Sequence, residues 1–145
     1  MRAIDLRSSE WAREAMSSTT LEMIREVERE TRLAPETVMA RYLQETLGQR
    51  TAAYVAGVAD AKMVGRWARG KHRPRGIASD RIRTAFEVTK LIGLAYNAET
   101  AKAWLLGSNS RLDDEAPAYV IRHAQSLDDL RLVVPTARAF AGERP

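Results

Sequence analysis

The chain contains no cysteine. Disulfide staples, thiolate metal sites and cysteine nucleophiles are thereby excluded, and a reducing cytoplasm is the simplest home. Only two histidines occur, His72 and His123, and they stand far apart. There is no H-E-x-x-H spacing and no glycine-rich phosphate loop. The acids at 113–115 and 128–129 are adjacent in sequence rather than posed across a cleft. We therefore expect no catalytic residue, no metal site and no cofactor: this is not an enzyme. Long apolar runs are missing too, and none approaches the roughly 20 residues that span a bilayer. The opening "MRAIDLRSSEWAREAM" is charged throughout and lacks the apolar core of a signal peptide. A cytoplasmic protein with no membrane contact is expected.

Strand-like alternation is nearly absent, "LRLVV" being the one brief candidate. What fills the 145 residues is helical periodicity at 45% hydrophobic and 29% charged content, a globular balance. "STTLEMIREVERETR" puts Leu21, Ile24 and Val27 on one face, with Ser18, Thr19 or Thr20 as N-cap. "APETVMARYLQETLG" opens with Pro35 at a first helical position and closes at Gly48. Its stripe is Val38, Met39, Tyr42, Leu43 and Leu47. A helix capped by Ser79/Asp80 aligns Ile82, Ala85, Phe86, Thr89 and Ile92. Another runs from an Asn97 cap to Gly107, and Pro135 splits two short final pieces. Residues 1–17, with Trp11, are either a frayed arm or an extra helix. The fold class is all-α: an N-terminal helical extension (1–34), a helix-turn-helix module (35–78) and a small helical C-terminal domain (79–145).

Net charge is only +4, and its distribution says more. Residues 1–48 hold seven Lys+Arg against nine Asp+Glu, and residues 97–145 hold six against seven. The stretch from Lys62 to Arg83 holds eight, Lys62, Arg66, Arg69, Lys71, Arg73, Arg75, Arg81 and Arg83, against the single acid Asp80. One basic patch between two slightly acidic ends is the electrostatic footprint of a nucleic-acid site.

A helix-turn-helix needs a small residue where its helices cross, a glycine in the turn, and apolar anchors in the second helix. "TAAYVAGVADAKMVGRWARG" offers Ala53, Gly57 and Val58 in those first places, then Asp60 as cap and Val64 and Trp67 as inward anchors. The opposite face carries Ala61, Lys62, Arg66 and Arg69. Val64 comes seven places after Gly57 where six is usual. Either the turn is lengthened or Met63 takes the anchoring role, which leaves open which of Lys62, Met63 and Gly65 faces a groove. On this reading Lys62 or Arg66 meets guanine in the major groove of double-stranded DNA. After Gly70, Lys71, His72, Arg73 and Arg75 run along phosphates, and Gln49, Arg50 and Thr51 hold another phosphate at the start of the preceding helix. A dimer reading two half-sites is expected on symmetry grounds. The N-terminal helices either build its interface or cover the domain's own core.

Further on, the order W-L-x-x-x-N-x-x-L-x-x-x-x-P stands in Trp104, Leu105, Asn109, Leu112 and Pro117. It resembles the C-terminal toxin-binding domain of the Xre/MbcA/ParS antitoxin family. "AYVAGVADAKMVGRWARG" is similar to the Xre-like helix-turn-helix of these proteins, and "TARAFAG" also fits. The likeness covers about residues 35–142. Where the family often has a glycine between that leucine and proline, this chain has "DDEA". The resemblance implies a repressor that doubles as antitoxin and blocks a RES-domain toxin that consumes NAD. It places Arg138, Phe140 and Arg144 as toxin contacts. The bland alternative for Phe140 is packing on its own domain. Similar members also occur as stand-alone regulators.

Overall fold

The computed structural model describes the backbone of residues 2–143 and the side chains of residues 18–143. Every regular element among them is helical: α1 Arg2–Leu33, α2 Glu36–Leu47, α3 Gln49–Ala56, α4 Lys62–Ala68, α5 Ile77–Ala95, α6 Ala98–Leu106, α7 Pro117–His123, α8 Leu127–Leu130 and α9 Val133–Gly142, with a 3-10 turn at Ser110–Leu112. No helix among the described residues is long and apolar enough to cross a membrane.

The axis of the molecule is α5. Ile82, Ala85, Phe86, Thr89 and Ile92 are buried as their spacing predicts, and Val88, Leu91 and Ala95 join them. With apolar residues around most of its circumference, α5 must be covered on several sides. It packs against α1, α2, α3, α6, α7, α8 and α9. One core therefore runs from Val27 to Ala141 and crosses residues 34 and 78 without a break.

Several expected boundaries shift, each for a local reason. α1 is already helical at Ser18–Thr20, so no cap forms there. Its inward face is Met23, Ile24, Val27 and Thr31, while Leu21 is half exposed. Six residues before Val27, Leu21 lies about 120° round the helix from it. Thr31 is buried because its hydroxyl donates back to the Val27 carbonyl at 2.7 Å. Pro35 is the N-cap of α2 rather than its first residue, and Val38, a position before Met39, turns outward. α5 starts at Ile77 after Gly76, not at Ser79/Asp80. Ser79 is diverted instead: its hydroxyl donates to the carboxylate of Glu36, 43 residues earlier. "LRLVV" is not a strand. Pro135 does not divide the last two helices but lies in the first turn of α9, where its missing N–H costs nothing.

The elbow between α6 and α7 accounts for each residue of the W-L-x3-N-x2-L-x4-P order. Asn97 caps α6 by accepting from the Thr100 N–H at 2.8 Å. Leu105 and Leu112 are buried, and Pro117 is the buried first residue of α7. Trp104 is half-buried against the core. Asn109 organises the turn: its side chain accepts from Arg111 N–H at 3.0 Å, and its carbonyl accepts from Leu112 and Asp114 at 2.9 Å each. Asp113 and Asp114 both take left-handed backbone, with φ of 56° and 64°. This is the "DDEA" stretch, and aspartate tolerates that region better than most residues.

Candidate nucleic-acid interface

α3 ends at Gly57, which takes φ 77° and lets its N–H and that of Val58 close on the carbonyls of Tyr54 and Ala53. Ala53 is buried, on a helix that packs against α4. The turn then runs through residue 61, so it is the lengthened form. The N-cap of α4 is Ala61, and Asp60 stands just before it: its Oδ1 accepts the Lys62 N–H at 2.9 Å and its carbonyl accepts that of Met63 at 3.0 Å. Val64 is fully buried and Trp67 is 4% exposed, so α4 is docked by the two expected anchors. Gly65 is buried as well. A β-carbon there would press on the Arg69 guanidinium and approach Gln44 of α2. Met63 and Ala61 are half-buried against the core. Of Lys62, Met63 and Gly65, only Lys62 stands in solvent.

Arg69, Lys71, His72, Arg73 and Arg75 are exposed with it, and Arg66 is half exposed. Two of these cations meet acids of the chain. Arg66 Nη1 lies 3.4 Å from Asp60 Oδ2, and Arg73 Nη2 lies 3.7 Å from Glu36 Oε1 while staying 84% exposed. The side chains of Lys62, Arg69, Lys71 and Arg75 have no hydrogen-bond or ion-pair partner among the described residues. Gly70, at φ 73°, turns the chain off the end of α4. The loop beyond it walls an open cleft of about 990 Å³ against the start of α5, whose lining includes Trp67, Lys71, His72, Arg73 and Arg75 together with the acids Glu36 and Asp80. The result is a helix docked by Val64 and Trp67 whose cationic outer face continues into a cationic loop.

Arg81 and Arg83, counted with the patch in the sequence, are not part of it. Arg83 donates to the Thr31 carbonyl at 2.8 Å, near the end of α1. Arg81 donates to the carbonyls of Ala56 at 3.3 Å and Ala124 at 2.6 Å, at the ends of α3 and α7. Arg122 donates to the Tyr54 carbonyl at 2.8 Å and lies over the Tyr54 ring. Arg41 does the same for Ala68 at the end of α4, at 3.1 Å. Helix C-termini expose carbonyls at the negative end of the dipole, and arginine answers both needs. Burial and the neighbouring Arg122 push the Arg81 pKa down. Sequence reasoning missed these pairings because their partners are backbone atoms of distant elements. The one available signal was that Arg81 and Arg83 fall inside a strongly periodic helix rather than in the loop.

The remaining candidates lie elsewhere. Arg50 and Thr51, at the start of α3, line a separate groove of about 360 Å³ with Tyr54, Leu106, Ala118 and Tyr119. Gln49 is exposed beside them. In α9, Arg138 is engaged inside the chain, 2.7 Å from Glu28 and 3.3 Å from Glu87. Burial pushes the Glu87 carboxyl up, against the opposing pull of Arg138. Phe140 stacks on Tyr96 at 4.8 Å and on Trp104 at 6.4 Å, and the Tyr96 hydroxyl donates to its carbonyl at 2.9 Å. Arg144 lies outside the described residues, as does the side chain of Trp11. His123 stacks on Tyr119 at 3.9 Å. No group of three His, Asp or Glu among the described residues is placed to hold a metal.

No protein-family model, curated protein or solved structure matches the chain.

Proposed function

We propose that the chain is a sequence-specific DNA-binding transcriptional regulator, a repressor that acts as a homodimer on chromosomal DNA in the cytoplasm. The observation that carries this reading is the pairing of the buried Val64/Trp67 anchor with an outer face that carries Lys62, unopposed, and Arg66, paired with Asp60, and that leads into Arg69, Lys71 and Arg75, cations unpartnered among the described residues. Such a helix enters a major groove as a preformed reader, with Lys62 and Arg66 toward base edges. Arg69, Lys71, His72, Arg73 and Arg75 then hold phosphates and fix the register. The Gly70 turn separates the two tasks. Retardation of duplex DNA from the region upstream of its own coding sequence, against a shuffled duplex, tests this. Preferential retardation supports it, and equal or absent retardation refutes it.

The likeness to Xre/MbcA/ParS antitoxins extends the proposal to a second task, neutralising a RES-domain toxin. Support for it comes from the elbow, where Leu105, Leu112 and Pro117 are buried, Trp104 is half-buried and Asn109 organises the turn. A stand-alone regulator is favoured by a different observation: Arg138 and Phe140 are already engaged within the chain. Co-purification with the product of an adjacent gene separates the two.

A further inference from the structure

We infer that Asp60 is a positioning residue for Arg66: its carboxylate aims that guanidinium at base edges and so governs sequence preference rather than overall affinity. This rests on the DNA-binding reading above. The Asp60 side chain is pinned by backbone, because Oδ1 accepts the Lys62 N–H at 2.9 Å. The other oxygen is thereby presented to Arg66 Nη1 at 3.4 Å. Helical side chains lean toward the N-terminus of their helix, and Arg66 takes that lean back along α4 to meet a residue that precedes it. Its guanidinium is held at the N-terminal end of α4, the end that approaches base edges.

The contact occupies one of five guanidinium N–H groups and leaves the others for a two-pronged contact with guanine O6 and N7. A carboxylate on this surface also repels phosphate, so it works against general affinity. The two side chains are 37% and 52% exposed, and such a pair adds little to fold stability. The role is therefore separable from folding.

Asp60→Asn tests it, because the amide oxygen keeps the cap on Lys62 while the charge that holds Arg66 is lost. Affinity is measured for the upstream duplex and for a shuffled duplex of equal length. The ratio of the two is expected to fall about tenfold in the variant, with unchanged or tighter binding to the shuffled duplex and an unchanged melting midpoint. In an Arg66→Ala background, Asp60→Asn is expected to leave the ratio where Arg66→Ala put it. A ratio unchanged by Asp60→Asn, or lowered equally without Arg66, overturns the inference. Wild-type protein that binds both duplexes alike overturns the DNA-reading function itself, which the wild-type measurement reports separately.

Discussion

A β-carbon on Gly57 would run into the guanidinium of Arg81. The turn that launches the candidate reading helix is thus fitted to the first turns of α5. Arg81 cannot move aside freely, because it holds the terminal carbonyls of α3 and α7 together. This contact ties the orientation of the helix-turn-helix to the C-terminal half of the chain.

Gly57→Ala is therefore expected to cost more than its backbone conformation alone. Left-handed φ costs alanine about 1–2 kcal/mol, and displacing Arg81 adds to that. Chemical denaturation of Gly57→Ala, with and without Arg81→Ala, measures the difference. The glycine substitution is expected to cost less once Arg81 is gone.

Arg81→Ala by itself leaves the Ala56 carbonyl and, at 2.6 Å, the closer Ala124 carbonyl without their donor. A loss of about 2 kcal/mol is expected from the denaturation midpoint. Arg81→Lys is expected to recover only part, because one ammonium group cannot span both ends.

Trp67→Ala removes the larger of the two anchors under α4. The expected destabilisation is about 3–5 kcal/mol, read by denaturation. Replacing exposed Lys71 or Arg75 is expected to change stability by less than about 0.5 kcal/mol. That contrast separates residues that hold the helix from residues that face outward.

Much of this was readable in the sequence, and the reason is local periodicity. Val64 and Trp67 fall three apart on one helix, and Gly57 meets a steric and backbone need that glycine alone satisfies. Asn97 and Pro117 act within a single turn of where they stand. What was not readable depends on partners far along the chain. Ser79 looks like a cap until Glu36, 43 residues away, takes its hydroxyl. Arg83 and Arg138 look like free cations until the Thr31 carbonyl and the carboxylates of Glu28 and Glu87 appear beside them. Charge counting along a chain cannot separate an arginine that faces a ligand from one that closes a helix end.

Glu87 gives the fold a signed pH dependence. Burial raises its carboxyl pKa above the ordinary value although Arg138 pulls the other way. The folded chain thus holds this proton more tightly than the unfolded chain does. Stability from this group is fully present below the ordinary glutamate range and is lost as pH rises through the raised value. Glu87→Gln mimics the protonated form. It is expected to be at least as stable as wild type at pH 7, with the gap closing toward about pH 4.

The central claim is that the cationic face running from α4 into the loop after Gly70 meets DNA phosphates. Its most direct test is the salt dependence of DNA retardation for wild type and for a Lys71→Ala, Arg73→Ala, Arg75→Ala triple variant. Each phosphate contact contributes about −0.9 to the slope of log affinity against log salt. A triple variant that stays folded with a slope shallower by about 2–3 is the predicted result. Parallel slopes, or a wild type that retards no duplex at low salt, would contradict it.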